Sequence, residues 1–240
     1  MSFAQVKKLK KAFKGAVQEF SRILSTPSPL TWEGERDLLF KAAARNDVET
    51  IKQIAPKYPN EFMKWTTKKG SPLRVAQREG NLGAFKELVA FGADVNENYG
   101  DGWTPLLVAV EYEQKALVDF LLDKGANVVN AKGTTVYMGP GDSPNGGYGW
   151  TFTPLHLAIA NHDADTVKKL LERGADPEKT GTPEGPVGSM TAGAYAMYLK
   201  QYTIVDILKR ADVLRTEYLA KQAYSAPGQQ PSVQIAPPSL

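Results

Sequence analysis

The 240-residue chain is 42% apolar and has no cysteine, which excludes disulfides, thiolate nucleophiles and zinc–thiolate sites. No apolar run reaches the roughly eighteen residues of a membrane helix, and early lysines interrupt any signal-peptide core. The net charge is +3, and six basic side chains against one acidic give residues 1–30 a charge of +5, which leaves −2 for the rest. We therefore expect a cytoplasmic protein that does not bind nucleic acid.

The chain opens with a predicted amphipathic helix over residues 1–24. Val6, Phe13 and Phe20 recur every seven residues on one face, and lysines occupy most of the other. Such a helix can cap the domain that follows, enter a groove of a partner, or lie on an anionic membrane surface. With the linker TPSPLT it makes up residues 1–34.

Residues 35–212 repeat a short pattern. Prolines of the clearest copies stand at 72, 105 and 154, and glycines that end them stand at 92, 125 and 174. Both landmarks advance by 33 residues and then by 49, so one copy has received an insertion of 16 residues. Weaker copies lie on either side, as expected where the outermost units of a stack meet water.

Each central copy predicts two helices joined by a turn. The hydroxyl of Ser71, Thr104 or Thr153 can cap the first helix, and the following proline occupies its first turn, where no donor is lost. The second, apolar-periodic helix stops at a glycine such as Gly125 or Gly174, which suits a left-handed cap. The predicted fold is therefore all-α, with about five helix-turn-helix units.

This pattern resembles the ankyrin repeat. Thr153–Ala158 reads TPLHLA and Leu121–Asn130 reads LLDKGANVVN, which match the TPLHxA and LLxxGAxxN signatures of that family. The resemblance covers about residues 35–212 and implies an ankyrin-repeat solenoid, an architecture used overwhelmingly to bind proteins. It also implies that His156 links the start of its helix to adjacent backbone, and that His162 replaces a turn glycine and is exposed.

The insertion, residues 131–150, contains six glycines and two prolines and cannot form a regular helix. TTVYM has the composition of a strand and PNGG is a turn signal, so a projecting hairpin and an irregular loop are both open. The segment GPGDSPNGGYG lacks the Lys-Thr ending of a phosphate loop and the spacing of a nucleophile elbow. No nucleotide cofactor is expected.

Several aromatic and charged residues occupy positions that the repeat leaves variable. By the resemblance, these positions line the concave face and the inserted loop. Exposed Trp and Tyr often dominate binding energy, although these aromatic side chains could instead pack together and stiffen the loop. The candidate partner-binding residues are Trp103, Tyr112, Tyr148, Trp150, Phe152, Tyr198, Asp101, Glu111 and Lys132.

Residues 213–240 are predicted to finish a helix and then form a disordered tail, because SAPGQQPSVQIAPPSL has four prolines and no charge. The flanks of the repeats are too short for a catalytic domain, and two histidines without spaced acids make no metal motif. The sequence thus predicts a non-enzymatic protein-interaction module without cofactor, an adaptor or an inhibitor. The alternative is a membrane-associated scaffold that uses the basic helix.

Overall fold

The computed structural model describes residues 31–59, 61–100, 102–128, 133–136, 149–181 and 189–225. The chain divides into two compact units with the boundary between Asp94 and Val95. The predicted N-terminal helix and the predicted tail from residue 226 onward lie outside the described residues, so both stay predictions.

The first unit contains two helix pairs, repeats 1 and 2. The side chains of Leu39, Phe62 and Phe85 are fully buried in its core. The first helices of the two repeats pack against each other, as do the second helices. Its elements are, in chain order, the helices Trp32–Arg45 and Val48–Ile54, the 3-10 helices Ala55–Lys57 and Phe62–Lys64, and the helices Pro72–Arg78 and Leu82–Ala90.

The second unit contains repeats 3, 4 and 5 and a final helix. The first helices of its repeats pack in sequence order, and the final helix packs against the second helix of repeat 4. The predicted all-α fold of helix pairs is confirmed. Its elements are the helices Pro105–Glu111 and Lys115–Asp123, strands β1 (Gly133–Val136) and β2 (Gly149–Phe152), and the helices Pro154–Ala160, Ala164–Glu172, Ala192–Tyr198, Tyr202–Lys209 and Ala211–Ser225.

The predicted helix caps are present. Ser71, Thr104 and Thr153 have extended backbone, and each side-chain oxygen accepts a hydrogen bond from the backbone N–H three residues later, at 3.1 to 3.4 Å. Thr191 caps repeat 5 in the same way, although no proline follows it. Because these bonds join residues only three apart, the sequence determines them locally.

Adjacent repeats are joined by amide side chains. An Asn or Gln between the two helices of a repeat donates to a carbonyl near the end of the first helix in the preceding repeat. Such bonds link the helix end of one repeat to the turn of the next. The pairs are Asn81 with Ala43, Asn161 with Val110 and Gln201 with Ile159, at 2.9, 2.8 and 2.7 Å.

The turn between the two helices of a repeat uses a left-handed residue. Gly80 takes this position in repeat 2 with φ of 72°, whereas Glu113, His162 and Lys200 take it in repeats 3 to 5 with φ of 52° to 58°. His162 is exposed, as expected for a residue that replaces a turn glycine. Residues other than Gly, Asn and Asp are strained in the left-handed conformation, because their Cβ crowds the backbone.

We expect glycine at position 113, 162 or 200 to raise the free energy of unfolding by about 0.5–1 kcal/mol, since relief of the left-handed strain exceeds the entropic cost of glycine. Gly80→Ala should lower it by a similar amount, and this effect is due to φ alone because nothing lies near the added Cβ. Urea unfolding of each variant measures the change. A less stable Lys200→Gly protein would contradict the prediction.

Antiparallel bridges precede two of the capping residues, Ser71 and Thr191. Thr67 pairs with Gly70, and Gly181 pairs with Met190, each through two backbone hydrogen bonds. In repeat 4 this bridge is lengthened into the antiparallel pair β1–β2, which aligns Gly133 with Phe152. The insertion is therefore a hairpin at its base, and residues 137–148 lie outside the described part of the chain.

Candidate partner-binding surface

The ends of the first helices in repeats 3 to 5 differ sharply in side-chain size. Tyr112 follows the first helix of repeat 3 and is 72% exposed, and Tyr198 ends the first helix of repeat 5 and is 53% exposed. Repeat 4 places Ala160 and Asn161 at the equivalent positions, and both are half-buried. Repeats 3 and 5 therefore each present an exposed tyrosine, and repeat 4 between them has the small Ala160 at the end of its first helix.

The local backbone places Tyr112 at a turn. Its N–H closes the helix by donating to the Val108 carbonyl at 3.0 Å, and the left-handed Glu113 then turns the chain toward the second helix. At this point, where the chain reverses, the phenol is in solvent. A buried aromatic side chain covers about 150–250 Å², so an exposed one offers a large apolar area to a partner.

Trp103 and Glu111 lie at opposite ends of the first helix in repeat 3. Trp103 is half-buried, its N–H donates to the Gly100 carbonyl at 2.9 Å, and its carbonyl accepts from the Tyr99 N–H at 2.7 Å. These bonds hold the indole next to the capping Thr104. Glu111 is exposed and ends the first helix.

The other candidate residues have different placements. Phe152 ends β2 and is only 7% exposed, so it packs beneath the surface and offers little area to a partner. This placement agrees with the alternative in which aromatic side chains near the insertion stiffen the fold. Trp150 has a described backbone, opposite Thr135 in the ribbon. Three candidates lie outside the described residues and stay predictions: Asp101, Lys132 and Tyr148.

The sequence analysis did not identify Ala160, because an alanine carries no chemical group that marks a site. Alignment of the repeats on their capping residues would have found it. Repeats 2, 3 and 5 have Arg78, Glu111 and Tyr198 where repeat 4 has Ala160, so the small residue is a departure from its neighbours.

His156 is a structural residue. Its side chain is fully buried, with Nδ1 2.7 Å from Thr153 Oγ1 and Nε2 3.0 Å from the Met190 carbonyl oxygen. Because a carbonyl only accepts, Nε2 donates, and the Thr153 hydroxyl donates to Nδ1. The expected link between the helix start and adjacent backbone is confirmed, and it joins repeat 4 to the hairpin before repeat 5.

Ion pairs join the second helices of repeats 3 and 4 on another face. Exposed pairs of this kind are worth about 0–1 kcal/mol each, so they supplement the apolar packing. Tyr112 and Tyr198 take no part in these ion pairs. The pairs are Lys115 with Asp163 at 3.3 Å, Arg173 with Asp123 at 2.7 Å, and Lys169 with Asp119.

Partial burial of Asp163 opposes its ionisation, but hydrogen bonds from Thr166 and the Lys115 ammonium outweigh it and hold its pKa below the ordinary value. A lowered folded-state pKa means that this stabilisation is complete above about pH 4 and is lost as the pH falls through the lowered value.

Asp163→Asn keeps a capping oxygen but no longer titrates. We therefore expect the melting temperature of this variant to fall less steeply with decreasing pH than that of the unaltered protein. Asp165→Asn, an exposed neighbour, should keep the wild-type slope; identical slopes for all three proteins would contradict the prediction.

The described residues contain no group of three or more His, Asp and Glu side chains placed to hold a metal ion. No helix in the described ranges is long and apolar enough to cross a membrane.

These features define a class of protein. Helix pairs bury their apolar faces against neighbouring pairs, and the helix ends and junction hairpins present the side chains that vary from one repeat to the next. The protein-family model for three copies of the ankyrin repeat matches residues 39–132, and the family model for a single ankyrin repeat matches residues 151–181. Together these matches cover just over half of the chain. The chain belongs to the ankyrin-repeat family.

The chain is similar to several curated proteins. An ankyrin repeat protein of fowlpox virus (strain NVSL) is 29% identical over an alignment of 177 residues that covers 65% of this chain and 51% of that protein. The ankyrin repeat and SAM domain-containing protein 6 of Rattus norvegicus is 33% identical over 107 residues, 44% of this chain and 12% of that protein. The mitochondrial disaggregase of Bos taurus is 29% identical over 136 residues, 48% of this chain and 20% of that protein.

The chain thus spans about half of the viral relative and a smaller share of the other two. Ankyrin repeats are protein–protein interaction modules, and the family is typically non-enzymatic.

Proposed function

We propose that this chain is a non-enzymatic binding protein that holds a protein partner on its concave face and inserted loop, as an adaptor or an inhibitor. The observation that carries the proposal is the pair of exposed tyrosines, Tyr112 and Tyr198, on the repeats that flank the small Ala160. Aromatic side chains of this kind are the usual centres of binding energy at protein interfaces.

The framework behind this surface supports tight binding. Caps, amide side chains and apolar packing already fix the repeats, so docking orders few further residues and costs little conformational entropy. Covering each tyrosine contributes about 2 kcal/mol at 25 cal/mol per Å² of apolar area, and polar groups at the rim such as Glu111 add specificity.

The inserted hairpin extends the same binding surface in this proposal. Its base, β1 and β2, leads directly into the first helix of repeat 4, which carries Ala160 at its end. The candidates Trp150, Tyr148 and Lys132 belong to this part of the proposal. The membrane-scaffold alternative depends on residues 1–24, and nothing in the described part of the chain favours it.

Affinity capture with mass spectrometry tests the proposal. The bait is the full chain, compared with the double variant Tyr112→Ala/Tyr198→Ala. Tyr202→Ala is the matched control, because Tyr202 is also an exposed tyrosine but starts the second helix of repeat 5. We expect the full chain and the control to recover the same partner, and the double variant to lose it while its melting temperature stays nearly unchanged.

Equal recovery by the double variant would overturn the tyrosine surface as the binding site. Deletion of residues 132–147 separates the contribution of the insertion from that of the helix ends. Turnover of a substrate by the purified full chain would overturn the non-enzymatic part of the proposal.

A further inference from the structure

The first unit carries a concentrated positive charge around the hairpin of repeat 2. Between Glu61 and Glu79 the chain has five basic residues and no acidic one. All five side chains are exposed. We call this set the basic patch: Lys64, Lys68, Lys69, Arg74 and Arg78.

The hairpin fixes where these charges lie. Two backbone hydrogen bonds between Thr67 and Gly70, at 3.0 and 2.9 Å, place Lys68 and Lys69 at its tip. The Arg74 side chain crosses the base of the hairpin, because a Cβ added to Gly70 would lie 2.5 Å from Arg74 Cδ. Arg78 follows one turn later on the same face of the helix.

Three of the five basic side chains have no acidic partner among the described residues, whereas the Arg78 guanidinium pairs with the Glu79 carboxylate at 2.9 Å. Lys64, Lys68 and Lys69 form no ion pair with the described residues, in contrast to Lys52 and Lys57, whose ammonium groups lie 3.4 and 2.6 Å from glutamate oxygens in the same unit. Neutralising charges for the three lysines must therefore come from solvent ions or from a partner.

We propose that the basic patch docks an extended, acidic peptide segment of a partner protein. A peptide backbone can run along the exposed hairpin while its carboxylates reach Lys68 and Lys69 at the tip and the two arginines on the helix. Charge complementarity of this kind speeds association and sets orientation. The inference concerns the first unit and does not depend on the tyrosine surface of repeats 3 to 5.

The size of the patch favours a peptide over nucleic acid. Residues 31–94 have eleven basic and nine acidic side chains, so within this range the positive charge is concentrated at the basic patch. Proteins that bind nucleic acid through phosphates commonly make about six to ten such contacts, which is more than these five side chains can supply. A short run of carboxylates matches them in number.

Fluorescence anisotropy of a labelled peptide in which Glu and Ser alternate tests the proposal with the full chain. The same peptide with Gln for Glu, a single-stranded oligonucleotide and anionic vesicles are the comparison probes. Lys68→Gln/Lys69→Gln is the test variant. Lys41→Gln/Lys86→Gln is the matched control, because it removes the same charge from two other exposed lysines of the first unit. Circular dichroism melts confirm that both variants fold.

We expect the Glu peptide to bind in a salt-dependent manner, the Gln peptide to bind much more weakly, and the test variant to bind the Glu peptide about five- to twentyfold more weakly than the control variant. Because both variants retain the lysines in residues 1–30, the contribution of those lysines to binding cancels in the comparison. Equal affinity of the two variants would overturn the proposal. Tighter binding of the oligonucleotide or the vesicles, with the same dependence on Lys68 and Lys69, would overturn it in favour of that ligand.

Discussion

Replacement of His156 by alanine is expected to lower the free energy of unfolding by about 3 kcal/mol. The imidazole is fully buried and bonds the Thr153 hydroxyl and the Met190 carbonyl, so its loss leaves a cavity and a buried carbonyl without its partner. A buried unsatisfied group costs about 1–3 kcal/mol, and the missing ring contacts add to that cost. Urea unfolding, followed by circular dichroism, measures the difference.

The control for this change is His162→Ala. Because His162 is exposed, its replacement should alter the free energy of unfolding by less than about 0.5 kcal/mol. Equal effects of the two substitutions would show that the buried hydrogen bonds do not hold repeat 4 to the next hairpin.

Gly181→Ala tests the same contact between repeat 4 and the hairpin that precedes repeat 5. A Cβ at this position would lie 2.8 Å from the Thr151 carbonyl oxygen and 3.1 Å from the His156 ring. The backbone contact cannot relax cheaply, so we expect a loss of about 1–2 kcal/mol. In the double variant His156→Ala/Gly181→Ala, the loss in free energy of unfolding should be smaller than the sum of the two separate losses, because removal of the imidazole relieves part of the crowding.

Ala160→Tyr is expected to weaken binding of the partner at least about 30-fold, equivalent to ~2 kcal/mol, because the added ring fills the space above the small residue. The fold should tolerate the change, since repeats 3 and 5 have Glu111 and Tyr198 at the equivalent position. Calorimetric titration with the captured partner measures the affinity. The melting temperature of the variant reports on its fold.

Ala164→Tyr supplies the comparison for this second prediction. Ala164 is also half-buried but begins the second helix of repeat 4, whereas Ala160 ends the first helix. This variant should keep the affinity of the unaltered chain. Undiminished binding by Ala160→Tyr would show that the partner does not contact the surface between the two tyrosines.

The sequence predicted those features that depend on residues close together in the chain. The capping bonds of Ser71, Thr104 and Thr153 span three residues, and the left-handed glycines at 125 and 174 end helices whose apolar period is visible in the sequence. The resemblance to the ankyrin repeat added the structural role of His156. The helix pairs and their order follow from such local patterns and from the repeat period, whereas the hairpin at the base of the insertion was one of two open alternatives.

Contacts between residues distant in the chain decided the rest. Both Phe152 and Tyr112 are aromatic residues at variable positions, yet one is buried and the other is exposed, because burial depends on neighbouring repeats. The amide bond from Asn161 to Val110 spans 51 positions, and no local signal announces it. The sequence by itself therefore determined the helix pairs, through caps and apolar period, whereas only the tertiary structure decided which side chains remain at the surface, because solvent exposure is set by the packing of whole repeats.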